Sequence, residues 1–257
     1  MTELTQEQID FYHENGYLAL DTLVSEQELE IMRAAYDRIF SERAGRDVGD
    51  QFDLAGTDEE GKEPALPQIL GPSKYAPELA QGEYRRSADR IVKQLLGDEA
   101  GIGGDHAILK PARHGAATPW HQDEAYWDPG YDYRSLSIWI PLQEATVENG
   151  CLQFVPGSHR LEVLEHQSVG GDVRIHALEV LNADTTNAVS CPITAGGCTI
   201  HDSKTLHYAG PNNTDEPRRA LILGGGAPAT ERTDGRRFPW NERKRTARDE
   251  RARRASD

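Results

Sequence analysis

The 257-residue sequence has no run close to the ~18–20 consecutive apolar residues that cross a bilayer, so it predicts no transmembrane helix. Its first stretch, Met1 to Phe11, lacks the basic and apolar segments of a secretory signal. Cysteine is scarce. Cys151, Cys191 and Cys198 are odd in number and form no CxxC pair, which argues against a disulfide scaffold and a structural zinc site. These absences lead to the expectation of a reducing compartment, the cytoplasm. Excess positive charge is missing too. There are 28 Lys+Arg against 43 Asp+Glu, a net charge of −15. A nucleic-acid binder needs a basic face for phosphates, so no nucleic-acid partner is expected, and no membrane partner either.

The charge that is present is unevenly placed. Residues 230–257 hold ten Lys/Arg against six Asp/Glu, a net of +4, which leaves −19 on the rest. Such a tail reads as a solvated helix docked on its own domain or on another subunit. The length suits one barrel or sandwich domain with added helices, or two small domains.

Local patterns divide the chain. Thr5 is a helix N-cap ahead of Gln6 to Asn15, and Gly16 suits the left-handed residue that ends a helix. Tyr17 to Leu20 reads as a short strand. Ser25 and Glu28 form a capping box, followed by Leu29, Met32, Ala35, Tyr36 and Ile39 at helical spacing. Residues 44–67 are rich in Gly, Asp and Glu and read as a mobile acidic loop. Tyr84 to Leu96 reads as another helix. Beyond Gly101, short apolar or alternating runs are broken by Gly, Pro and Asn, at His106 to Lys110, Ser135 to Leu142, Cys151 to Val155, Gly197 to His201 and Ala220 to Leu223. That texture indicates an all-β sandwich or barrel.

Two histidine contexts stand out among nine. In Trp120-His121-Gln122-Asp123, residues i and i+2 of an extended segment point the same way, so His121 and Asp123 can share one metal. His207, in Leu206-His207-Tyr208-Ala209-Gly210-Pro211-Asn212, adds a second imidazole. Two His and one carboxylate form the facial triad that leaves open positions on Fe(II). A turn at Gly210 to Thr214 then returns the chain as Arg218 to Leu223, bringing an arginine near His207. A guanidinium deep in a barrel holds a carboxylate through two parallel hydrogen bonds. Arg219 would face the opposite side. His201 and Asp202 are adjacent and face opposite ways, so His201 is expected beside the metal group and not in it.

The chain resembles the phytanoyl-CoA dioxygenase family of Fe(II)/2-oxoglutarate oxygenases. The resemblance covers residues 5–225. It rests on Phe11 to Tyr17, Trp120 to Asp123, Trp139-Ile140-Pro141-Leu142, Asn149 to Leu152, Val155 to His159, and His207 through Leu221. It implies a mainly β fold with flanking helices around a double-stranded β-helix (jelly-roll, cupin-like) core. A single oxygenase domain would span residues 1–229, with a mostly helical layer over 1–100 and the β core over 101–229. Residues 230–257 would be an Arg-rich helical or flexible tail. His121, Asp123 and His207 match the iron ligands, and Arg218 matches the arginine for the distal carboxylate of 2-oxoglutarate. Lys110 and Trp139 match positions lining the co-substrate pocket, and Gln122 is a further candidate. Ala209 stands where many members carry a small hydroxyl residue. Related halogenases have Ala or Gly in place of the carboxylate, so Asp123 points to oxygen insertion over halogenation, with desaturation or ring chemistry as alternatives that the same iron chemistry can start.

The implied activity is a dioxygenase using Fe(II), 2-oxoglutarate and O2 on a small organic substrate, with release of succinate and CO2. Homo-oligomerisation is left open. Tyr126, Trp127 and Tyr131 are candidates to cover the substrate. The alternatives are a catalytically silent member that binds a ligand or partner, and a cupin-like isomerase or hydrolase using another metal.

Overall fold

A computed structural model describes residues 3–256. Helix α1 (Gln6–Asn15) begins at Thr5, whose side chain and that of Gln8 cap each other's main-chain N–H. It ends at Gly16, where φ is +78° and an added Cβ would lie 2.3 Å from His159 Nδ1. Gly16 thus meets two demands, a left-handed turn and close approach. Strand β1 (Tyr17–Leu20) follows, then α2 (Glu26–Ser41), with the expected Ser25–Glu28 capping box. Glu28 also accepts from the main-chain N–H groups of Glu83 and Tyr84, so one carboxylate serves two helix starts.

The chain continues through β2 (Gln51–Asp53), β3 (Pro67–Leu70), a short helix α3 (Pro72–Tyr75) and α4 (Glu83–Leu96). The remaining strands are β4 (Gly101–Lys110), β5 (Thr118–His121), β6 (Tyr131–Asp132), β7 (Ser135–Pro141), β8 (Leu152–Phe154), β9 (His166–Ser168), β10 (Leu178–Val180), β11 (Val189–Cys191), β12 (Cys198–Asp202), β13 (His207–Ala209), β14 (Arg218–Gly226) and β15 (Thr230–Glu231). Helices α5 (Pro239–Arg243) and α6 (Ala247–Ser256) close the sequence of elements.

Two antiparallel sheets form the core. The major sheet runs β1-β12-β7-β14-β4-β3-β2 and the minor sheet β11-β8-β13-β5. Side-chain alternation sorts the major sheet into two faces. Leu136, Ile138, Ile140, Ile200, Leu221 and Leu223 face outward and pack under α1, α2 and α4 in one large apolar cluster. Trp139, Ala220 and Ile222 face inward and meet Leu152, Phe154 and Ala209 of the minor sheet. Helix α4 sits so close that a Cβ at Gly225 would lie 2.4 Å from Val92.

Two segments are better anchored than their composition suggests. Residues 44–67, expected as a mobile acidic loop, contain β2 and are pinned by buried Asp53, which accepts from the N–H groups of Ala55, Ala65 and Leu66. Half-buried Asp58 accepts from Arg46 and from Arg251 of α6. The tail packs on the same chain: Trp240 is buried and donates from Nε1 to Ala125 O at 2.8 Å. Composition shows the acids of one segment and the bases of the other, not that they meet.

Candidate metal centre and cavity

His121 ends β5 and faces His207 of β13 across the ladder. Gln122 stays extended (φ −119°, ψ 134°), which keeps Asp123 on the side of His121 although Asp123 already opens a 3-10 turn. The ligand-type atoms of His121, Asp123 and His207 lie within 4.8 Å of one another. Asp123 Oδ1 is 3.6 Å from both Nε2 atoms.

The surroundings orient these groups for a cation. His121 Nδ1 lies 2.7 Å from Pro119 O, and His207 Nδ1 lies 2.9 Å from Thr205 O. A carbonyl can only accept, so each Nδ1 carries the proton and each Nε2 keeps its lone pair. Burial, together with His121 and His201, pushes the His207 imidazolium well below its ordinary range and favours the neutral, metal-binding form. Burial alone would raise the Asp123 carboxyl. His207, His121 and His201 outweigh it and hold the group well below the usual carboxylate range. Ser137 donates to Asp123 Oδ2 at 2.7 Å, and His201 Nε2 lies 3.3 Å from the same oxygen. The second oxygen is thereby occupied and Oδ1 faces the imidazoles. Two neutral imidazoles and a carboxylate suit Fe(II).

A cavity of about 700 Å³ opens from this group. Its wall includes Arg218, Trp139, Thr118 and Ala209. Arg218 is 2% exposed, yet its Nε and Nη1 find no partner among the described residues. Its guanidinium stands 5.2 Å from the Trp139 ring centroid. Burial lowers its pKa to about 10, still far above neutrality. A permanently charged, buried group without a counter-ion is costly, and a carboxylate ligand removes that cost. Arg219, on the outer face, pairs with Asp37 at 2.6 Å.

Two expected co-substrate contacts sit elsewhere. Lys110 is paired with Arg218 in the β4–β14 register, but its ammonium donates to the carbonyls of Ala116 and Ala209 and does not line the cavity. Burial and the neighbouring Arg218 push its pKa well below the ordinary lysine value. The Gln122 side chain points away from the metal group. It donates to Lys204 O at 2.9 Å and accepts from Leu164 N at 2.8 Å, tying three loops together. Its position between two ligands placed it on the opposite side of the extended segment.

Thr118 escaped the sequence reading. Counting by twos from His121 turns it outward, but the β5–β13 ladder shifts register between His207 and Ala209. The irregularity places Thr118 opposite Ala209 and on the cavity wall. Tyr126 and Trp127 also line the cavity, while Tyr131 is not part of its wall.

Comparison with known proteins agrees with this geometry. The profile of the phytanoyl-CoA dioxygenase (PhyH) family matches residues 12–220. A probable alpha-ketoglutarate-dependent hypophosphite dioxygenase from Stutzerimonas stutzeri is 31% identical over 143 residues, a stretch that spans 53% of this chain and 49% of that protein. A methylphosphonate hydroxylase from Gimesia maris is 28% identical, covering 86% of this chain and 80% of the relative. Among solved structures, EvdO2 from Micromonospora carbonacea var. aurantiaca, in complex with 2-oxoglutarate, is 40% identical with a TM-score of 0.80, covering 93% of this chain and 97% of that one. Matched along most of its length and carrying two imidazoles and a carboxylate gathered at one point, the chain belongs to the phytanoyl-CoA dioxygenase family of Fe(II)- and 2-oxoglutarate-dependent oxygenases.

Proposed function

We propose that the protein hydroxylates a C–H bond of a small organic substrate, with 2-oxoglutarate converted to succinate and CO2. One observation carries the co-substrate assignment: the buried Arg218 guanidinium, without a protein partner at Nε and Nη1, opens on the same cavity as the three metal-type donors. His121, Asp123 and His207 would hold the iron. Arg218 would receive the far carboxylate of 2-oxoglutarate through paired hydrogen bonds. Thr118, opposite Ala209 and on the cavity wall, would supply the hydroxyl that Ala209 lacks.

Iron, when bound, supplies the coupling of O2 activation to decarboxylation of the keto acid. The chain supplies everything that fixes the geometry. The carbonyls of Pro119 and Thr205 hold the imidazole tautomers, and Ser137 holds the carboxylate. Trp139, Leu152, Ile108 and Ile222 keep water from the co-substrate side of the cavity. Residues 1–229 are read as the oxygenase domain and 230–257 as a segment packed on it.

Fe(II) with 2-oxoglutarate under anaerobic conditions should give a weak visible charge-transfer band. A substrate screen read by succinate, with His121→Ala as blank, tests turnover. Equal turnover by His121→Ala and the parent would refute the ligand assignment. Absence of succinate across a broad panel, uncoupled reaction included, would favour a silent, ligand-binding protein.

A further inference from the structure

The family match stops at residue 220, yet the cavity wall goes on into Asn241, Lys244, Arg248 and Asp249. These residues belong to α5, α6 and the link between them. We propose that this C-terminal segment forms the substrate end of the cavity, and that Lys244 and Arg248 bind an acidic group of the substrate, a carboxylate or a phosphate. The proposal rests on the oxygenase reading and adds a substrate class to it.

Near the cavity mouth the fold leaves polar groups without partners. Lys244 is partly buried, and its Nζ sits 4.6 Å from the Tyr126 ring centroid. The carboxylates near it in sequence are committed elsewhere: Glu242 accepts from Arg237, and Asp249 accepts from Thr246 Oγ1 at 2.8 Å and from Arg248 Nη1 at 3.2 Å. Arg248 lies over the Phe52 ring at 5.2 Å, and its Nε is buried without a partner. His176 lies between the same aromatics, 4.8 Å from Phe52 and 5.8 Å from Tyr126 by ring centroids, and its Nδ1 is also buried and unpartnered. Lys244, Arg248 and His176 all line one cavity.

A cation–π contact partly replaces water around an ammonium, but it supplies no hydrogen-bond acceptor. Burial lowers the Lys244 pKa to about 8, with Asp249 opposing and Arg248 assisting the fall, so the ammonium still predominates at neutral pH. A solvated surface lysine would need no such aromatic seat. An anion placed here gains charge-assisted hydrogen bonds at positions that are otherwise unsatisfied.

The location also fits the chemistry. The Tyr126 ring that seats Lys244 lies 6.0 Å from the His121 ring. An acid group held by Lys244 is therefore separated from the metal ligands by the breadth of one aromatic side chain. The substrate's reacting C–H would lie a few bonds from its acid group, in the space that Tyr126 and Trp127 border.

The test is calorimetric binding to protein loaded anaerobically with Fe(II) and 2-oxoglutarate, so that Arg218 is engaged. The probes are phenyl phosphate, benzoate and neutral benzyl alcohol. At least one acid should bind about tenfold or more tightly than the alcohol, and the stronger acid identifies the group. Lys244→Met should remove about tenfold of that preference while alcohol binding stays, and Lys244→Arg should restore it. Melting curves confirm that the variants fold. Equal affinity for acids and alcohol, or an undiminished preference in folded Lys244→Met, would overturn the proposal. The charge-transfer band of the parent reads the oxygenase assignment separately, so the two failures cannot be confused.

Discussion

The two faces of strand β14 answer different needs. On the outer face, Leu221 and Leu223 are buried under helices and Arg219 has its carboxylate in Asp37. On the inner face, Arg218 is equally deep but lacks partners for two of its nitrogens. Neighbours in sequence thus divide into a face complete on its own and a face that awaits a ligand. Stability resides in the first, and binding capacity is stored in the second as unsatisfied polar groups.

The contrast is sharpest at Arg218. Arg218→Met should weaken 2-oxoglutarate binding on the order of a thousandfold, from two charge-assisted bonds of about 2 kcal/mol each, as titrated by the charge-transfer band. The same variant should melt no lower than the parent without ligand, since it removes a buried unpaired charge. A large drop in melting temperature would mean that Arg218 is structural. Leu221→Ala should act the opposite way, costing about 3 kcal/mol in denaturant unfolding while 2-oxoglutarate affinity holds.

Ser137→Ala should weaken iron binding by about tenfold in an anaerobic competition with a chelator, because Asp123 loses the donor that orients it. At the cavity mouth, affinity for the acid probe should fall as pH rises through about 8, where Lys244 loses its proton. Arg248, Asp249, His176 and Tyr126 face the same space, and a flat profile from pH 7 to 9 would show that Arg248 alone binds the acid. The smallest effect belongs to Arg219→Met. An exposed pair is worth about 1 kcal/mol or less, so stability and co-substrate affinity should both stay near those of the parent.

How much of this was legible in the sequence follows from what each residue depends on. The capping box at Ser25, the strand at Tyr17 to Leu20 and the opposite facing of Arg218 and Arg219 depend on neighbours a few positions away, and short-range rules reach them. The pattern of His121, Asp123 and His207 was readable because a triad is a set of residue types in order. Thr118 was not, because a register shift cancelled the alternation that would locate it. Gln122 and Lys110 were read by position in a motif, yet their side chains answer to carbonyls supplied by distant loops. Lys244 and Arg248 were hidden in a basic tail, since composition cannot distinguish a cation facing water from one facing a cavity.

The bond from Arg251 to Asp58 joins residues far apart in the chain, and it forms only once α6 has been made. A ribosome delivers the acidic residue early, then the three metal-type donors, and the arginine well after His207. Folding that tracks synthesis would therefore raise the barrel first and leave its mouth open until α6 emerges and docks.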